Sequence, residues 1–170
     1  MTYEQARTLI GDRFGSAQVG PPTGRTDGPA LAGRVAERPD GETPLTVTVP
    51  VDQWVAFAQF AKDVLLCRYF GFLSAVDWKE QGLEVLAKVD NADDNLSLLI
   101  KARLGPGVSV CPSLTPVYRG ANWMERECYD MFGIRFEGHP DLRRILLADD
   151  WVGFPLLKSY AVDTPYPPYR

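Results

Sequence analysis

Histidine is almost absent: His139 is the only one, so a site needing two imidazole ligands has no material to build it from. Cysteine is scarce as well, with Cys67, Cys111 and Cys128 far apart and no CxxC pair. That pattern suits free thiols in a reducing compartment and falls short of the four ligands that an iron–sulfur cluster takes. No GxGxxG follows a strand pattern and no phosphate-binding P-loop is present, which argues against a bound dinucleotide or nucleotide. No apolar run reaches about 18 residues, the length a membrane-spanning helix needs. The nearest, from Thr43 to Ala61, is broken by Pro50 and Asp52. The opening MTYEQARTLIGDRFG has no basic stretch leading into an apolar one, so no secretory signal is expected there. Cations are outnumbered too: a net charge of -4 and a pI near 5.0 disfavour a nucleic-acid partner.

What is present reads as a folded protein. Hydrophobic residues make up 45% and charged residues 24% of 170, enough apolar surface for one core and too little charge for global disorder. Thr2 and Gln5 form a capping box ahead of Ala6, Leu9, Ile10 and Phe14 at helical spacing, which predicts a short first helix ending at Gly15. Residues 16–30 carry loop chemistry, with repeated Gly and Pro. Leu31 to Glu37 and Leu45 to Val49 predict two strands joined through the turn at Asp40-Gly41. Asp52 then reads as the cap of a second helix whose stripe is Trp54, Val55, Phe57, Ala58, Ala61, Val64, Leu65 and Arg68. Three strands follow, Phe72 to Trp78, Leu83 to Asp90 and Asn95 to Leu104; the last two alternate apolar and polar residues. The fold expected is α+β: a two-layer sandwich in the order helix, two strands, helix, three strands, with a mostly antiparallel sheet, then a C-terminal helix and a long extended arm. Residues 1–133 form a single domain in this reading, and residues 134–170 are the arm, continuous with it.

The stretch from Asn122 to Leu147 concentrates the chemistry. Thr115 and Pro116 predict the start of the C-terminal helix, and Gly133 its close. At about 100° per residue, Glu125 falls among Ala121, Cys128, Tyr129 and Phe132 on the apolar side, so it is expected to be buried beside a cation, from Arg143, Arg144 or His139. Arg126 and Asp130, one turn apart, can pair. Glu125, Glu127, Asp130 and His139 could serve acid–base chemistry. The accompanying Arg126, Arg143 and Arg144, with Asp141, favour an ion-paired scaffold instead, because buried charges persist when they are neutralised. Cys128 and Cys67 read as small core residues. Beyond Gly133 periodicity ends, yet Trp151, Phe154, Tyr160, Tyr166 and Tyr169 remain, interleaved with proline. They predict an extended strap that wraps around something, in part its own sheet or else another subunit on which it docks.

Glu125-Arg126-Glu127, Asp130-Met131-Phe132, His139, Arg143 and Ile145-Leu146, with Gly120-Ala121-Asn122-Trp123 before them and Asp149-Asp150-Trp151 after, resemble the signature of the C subunit of the proton-pumping NADH:quinone oxidoreductase, respiratory complex I. The chain departs from that pattern at Ala148, where the family commonly has Pro, and at Phe154, Leu157 and Ser159, where it has His, Arg and Asp. The resemblance implies a peripheral-arm subunit of a bacterial complex, peripheral on the cytoplasmic side of the cell membrane. It implies no catalytic, cofactor or metal site in this chain, with FMN and iron–sulfur clusters in partner subunits. The partners implied are the quinone-site D subunit and the cluster-bearing B and I subunits. Such a chain serves assembly and support while electrons pass from NADH to quinone in its neighbours. An equivalent subunit of a membrane-bound hydrogenase or of another donor's quinone reductase is the alternative, and a stand-alone enzyme using Glu125, Glu127 and His139 the second. An isolated copy is expected to self-associate through its unpaired strap.

Overall fold

A computed structural model describes residues 1–15, 17–20 and 44–161. The first helix, α1 (Tyr3–Arg13), begins at the capping box: Thr2 accepts from the Gln5 amide at 3.3 Å and the Gln5 side chain accepts from the Thr2 amide at 2.9 Å. Ala6 and Ile10 are buried, whereas Leu9 turns outward. The strands β1 (Gln18–Val19) and β2 (Leu45–Thr48) pair antiparallel. The strand expected at Leu31 to Glu37 and the turn at Asp40-Gly41 lie outside the described residues.

After Pro50 the chain makes a short 3-10 turn over Val51–Gln53, closed by Gln53 N–H donating to the Pro50 carbonyl at 3.0 Å, before α2 (Trp54–Asp63) starts. Asp52 therefore does not cap the helix; it is spent inside the turn, and Gln53, which precedes the helix, makes no side-chain cap. The helix also stops short of Arg68. Leu66 takes a positive φ of 56° and redirects the chain into β3 (Tyr69–Asp77), so Val64 faces solvent and Leu65 points inward.

Strands β4 (Leu83–Asn91) and β5 (Leu96–Gly105) behave as their alternation requires. The register sets Val85 against Ala102, Ala87 against Ile100 and Val89 against Leu98, all fully buried on one face. Sheet order is β1-β2-β5-β4-β3, antiparallel except for the parallel contact of β2 with β5. Trp54, Phe57, Ala58 and Ala61 of α2 are buried in the same core as the inner face of the sheet, and Phe14 seals it edge-on to Phe57 at 5.1 Å. Each large side chain so buried contributes about 1.5–3 kcal/mol relative to exposure.

Three short strands escape a reading of the sequence: β1, within the stretch read as loop, which pairs along β2, and two more beyond β5. β6 (Val110–Pro112) and β7 (Arg135–Glu137) form a separate parallel pair on either side of α3 (Ala121–Phe132). This helix packs along β3, at the open edge of the main sheet, where the Leu73 amide meets the Met124 sulfur at 3.1 Å. No helix among the described residues is long and apolar enough to cross a membrane.

Candidate functional site

α3 starts at Ala121, later than Thr115-Pro116 predicts, because Ser113 to Thr115 are held elsewhere. It ends where expected, with Gly133 at φ 75° and its amide bonded to the Tyr129 carbonyl. A Cβ at Gly133 would lie 2.7 Å from the Phe154 ring, so this position needs glycine for space as well as for backbone conformation.

Glu125 is fully buried, as its place on the apolar side requires. Its partners are not cations. The Ser113 hydroxyl donates at 2.6 Å, the Leu114 amide at 2.6 Å and the Thr115 hydroxyl at 3.2 Å. Burial pushes the Glu125 carboxyl above its ordinary value, and these three bonds, together with a smaller electrostatic contribution from His139, offset the shift only in part. The residue read as a helix cap, Thr115, is thus part of a neutral cage. The three expected cations are engaged elsewhere. Arg143 pairs with Asp141 at 2.9 Å on the surface and Arg144 pairs with Asp130 at 2.6 Å. His139 accepts from the Asp141 amide through Nδ1 at 3.0 Å, which leaves the neutral ring's proton on Nε2 to bond the Asn122 carbonyl at 3.1 Å.

Asp130 is also fully buried, although it lies toward the outer side of α3. The reason is the arm. One carboxylate oxygen accepts from Arg144; the other accepts from three successive amides, Ile145 at 3.1 Å, Leu146 at 2.8 Å and Leu147 at 2.9 Å. Burial opposes the charge here too, but the three amides and Arg144 outweigh it and hold the carboxyl below the usual range. Arg126 does not pair with Asp130. It donates to the carbonyls of Arg143 at 3.2 Å and Arg144 at 3.0 Å, and lies 5.6 Å from the Trp123 ring centre. Two side chains one helical turn apart thus grip both polarities of one irregular backbone segment.

The strap then folds onto its own domain. Arg144 donates to the Trp151 carbonyl and covers Phe154 at 5.7 Å; the Leu156 amide bonds the Met131 carbonyl and the Lys158 amide bonds Asp77. Trp151, Phe154 and Tyr160, expected to face a partner, are only partly exposed, with Phe154 set on Gly133 and Tyr160 on Gly153. Tyr166 and Tyr169 lie outside the described residues. Among the described residues of α3 and the strap, the large apolar side chains that protrude are Trp123, Leu146, Val152 and Leu156. Leu146 is part of the family signature, but none of the last three has periodicity to mark it as exposed.

Glu127 is exposed, Glu125 is sealed in, and the cleft of about 590 Å³ beside His139 is lined by Tyr129, Arg135, Phe136, Glu137, Gly138 and Leu142. Those three groups do not converge on one cavity. The cysteines are buried, and burial pushes the Cys67 and Cys128 thiols up to about 12 and Cys111 in the same direction. Among the described residues no cluster of three His, Cys, Asp or Glu is placed to hold a metal ion.

Known proteins share both the sequence and the fold. The chain is 42% identical over 129 residues to the NADH-quinone oxidoreductase C subunit of Chlorobium phaeobacteroides, covering 72% of this chain and 76% of that one. It is 49% identical over 82 residues to the NADH-quinone oxidoreductase C/D subunit of Bdellovibrio bacteriovorus, covering 48% of this chain and 14% of the longer one. The fold is similar to that of a solved trypsin-resistant fragment of Nqo5, with a TM-score of 0.59 at 20% identity over 81% of this chain and 98% of the fragment. Residues 47–166 match the family described as the 30 Kd subunit of the respiratory-chain NADH dehydrogenase, and the chain belongs to that family.

Proposed function

We propose that this chain is a non-catalytic, peripheral-arm subunit of an NADH:quinone oxidoreductase, supporting the subunits in which electrons pass from NADH through FMN and iron–sulfur clusters to quinone, coupled there to proton translocation. Its neighbours are the D subunit at the quinone site and the cluster-bearing B and I subunits, and it is held on the cytoplasmic side of the cell membrane through them. Residues 1–133 act as the domain and residues 134–170 as its arm, of which the described part, 134–161, is clamped to it. The observation that carries this reading is how the motif's acids and arginines are used. Asp130, Arg126 and Arg144 are occupied by one another and by the arm's backbone, and Glu125 is out of reach of solvent. Catalytic acids need access to a substrate proton, and Glu125 and Asp130 have none. The family match and the 42% identity to a relative of that name support the NADH-linked complex.

Affinity purification of the full chain from native membranes, with identification of the attached proteins, tests the proposal. The D, B and I subunits are expected to come with it. A lone chain that turns over a substrate, and stops doing so on Glu127→Gln or His139→Gln, overturns it.

A further inference from the structure

The connector between α2 and β3 carries a strain that its own turn does not need. Leu66 sits at φ 56°, where a Cβ crowds the backbone and glycine is the ordinary choice. Burial does not call for a leucine there, since its side chain is 40% exposed. The strain is held in place from three directions. The Cys67 amide donates to the Ala61 carbonyl at 2.9 Å, the Asn91 side chain to the Leu65 carbonyl at 3.1 Å, and the Tyr118 hydroxyl to the Cys67 carbonyl at 2.8 Å. Leu65 and Cys67, on either side, are fully buried. Leu66 therefore stands outward as a fixed apolar knob.

Its surroundings are apolar and cationic. On the same short stretch Val64 is 40% and Tyr69 65% exposed, and Arg68 is exposed between them. Arg119 is exposed on the loop before α3, which is tied to the connector because Tyr118 bonds Cys67 and its ring lies 5.1 Å from that of Phe70. Neither arginine pairs with an acid among the described residues. The acids around the connector are engaged: Asp63 accepts from Gln59, Asp94 from Asn91, and Asp90 pairs with Lys88. In a chain of net charge -4, this corner reverses the sign locally.

We infer that Val64, Leu66, Arg68, Tyr69 and Arg119 form a docking point that seats in an apolar cleft rimmed by Asp and Glu on another protein subunit of the assembly; this rests on the proposed function above. It lies at the opposite end of β3 from Asp77, where the strap is tied. Backbone strain persists where the surrounding structure over-determines it and function uses it. Tyrosine and arginine are enriched at the energetic centres of interfaces, and a knob fixed before association forfeits less entropy when it binds.

Shape and charge choose the occupant. An anionic lipid surface moulds to any contour, so a fixed knob adds nothing there, and it repels the exposed Asp63 beside Val64. A second copy meeting this patch with its own across a two-fold axis would set Arg68 and Arg119 against like charges. An acidic-rimmed protein cleft satisfies both the knob and the arginines.

The test places p-benzoylphenylalanine at Tyr69 of the tagged full chain, irradiates the native membranes, and identifies what is attached and at which peptide. The adduct is expected on another subunit, in a peptide whose apolar residues are flanked by Asp or Glu. Arg68→Glu combined with Arg119→Glu is expected to lower its yield about tenfold or more, the loss of one interface hot spot. Leu66→Gly is expected to lower the yield as well, while the denaturation midpoint of the purified variant stays level or rises, because glycine adopts this backbone freely. A leucine that served only the fold would lower the midpoint on replacement, and that result overturns the docking point. So does an adduct with lipid or a second copy alone, the absence of any adduct, or a yield unmoved by Leu66→Gly. In each of these cases, recovery of the D, B and I subunits from the same membranes leaves the proposed function standing. A chain that brings down none of those subunits overturns both.

Discussion

Glu125 and Asp130 sit little more than one turn apart on the same helix, and both have 0% exposure, yet their environments push their carboxyl groups in opposite directions. Around Glu125 burial dominates: two hydroxyls and one amide donate, all neutral. Around Asp130 three amides and a guanidinium overcome burial. Zero exposure is therefore a poor guide to charge: Glu125 lies deep among apolar side chains, whereas Asp130 lies shallower, just under the strap, with a guanidinium among its donors. The two groups hold different things. Glu125 ties the loop before α3 to the helix, and Asp130 ties the strap after it.

Replacing Asp130 by Asn gives the largest separation between them. One oxygen can still accept from the amides of Ile145 to Leu147, but the new NH2 group then faces Arg144 donor to donor, leaving a buried cation unpaired. A loss of about 3–5 kcal/mol is expected in denaturant unfolding, with the strap amides exchanging fastest. A loss no greater than that of Glu125→Gln would erase the distinction.

Acid should separate them next. A carboxyl held below its ordinary value stabilises the fold above about pH 4, and that contribution is lost as pH falls through the depressed value. For Glu125 the sign is reversed, because its raised value favours the protonated form: its contribution is full at low pH and is lost as pH rises through that value. Protection factors at Ile145, Leu146 and Leu147, taken relative to the slower intrinsic exchange in acid, should fall on acidification before those within β4 and β5 do. Simultaneous loss would mean that the strap is not a separate unit.

Glu125→Gln should cost less, about 1 kcal/mol. Its remaining carbonyl can keep the Leu114 amide, and the hydroxyls of Ser113 and Thr115 can rotate to accept from the new NH2. The same substitution should also flatten the decline of stability as pH rises above the ordinary range of a glutamate. A cost matching that of Asp130→Asn would show that the cage depends on charge.

How much of this is legible in the sequence follows the range of the forces. The period of two in β4 and β5 is plain because one face of that sheet is wet. The capping box at Thr2 and the close at Gly133 are local and need no tertiary partner to be seen. The burial of Glu125 follows from helical angle alone, but its partners do not, since Ser113-Leu114-Thr115-Pro116 resembles a helix start. Asp130 misleads for a related reason: what buries it is a strap without periodicity. The strands β6 and β7 are short and pair across α3, so no window of sequence contains both. The family signature is legible because it is specific residue by residue, although its pattern does not say which arginine holds which acid.

Arg143 and Arg144 give the smallest and sharpest test of that last point. They are adjacent in the motif, and each lies within 2.9 Å of an aspartate oxygen. The Arg143–Asp141 pair is 71% and 57% exposed, while the Arg144–Asp130 pair is 17% and 0% exposed. Water and salt screen the first, so Arg143→Ala should change stability by no more than about 0.5 kcal/mol. Its backbone carbonyl, which Arg126 uses, survives the substitution. Arg144→Ala should cost several kcal/mol, because it strips Asp130 of its cation and Phe154 of its cover. Equal effects from the two would place the strap's stability in the surface pair and remove Asp130 from its role as the clamp.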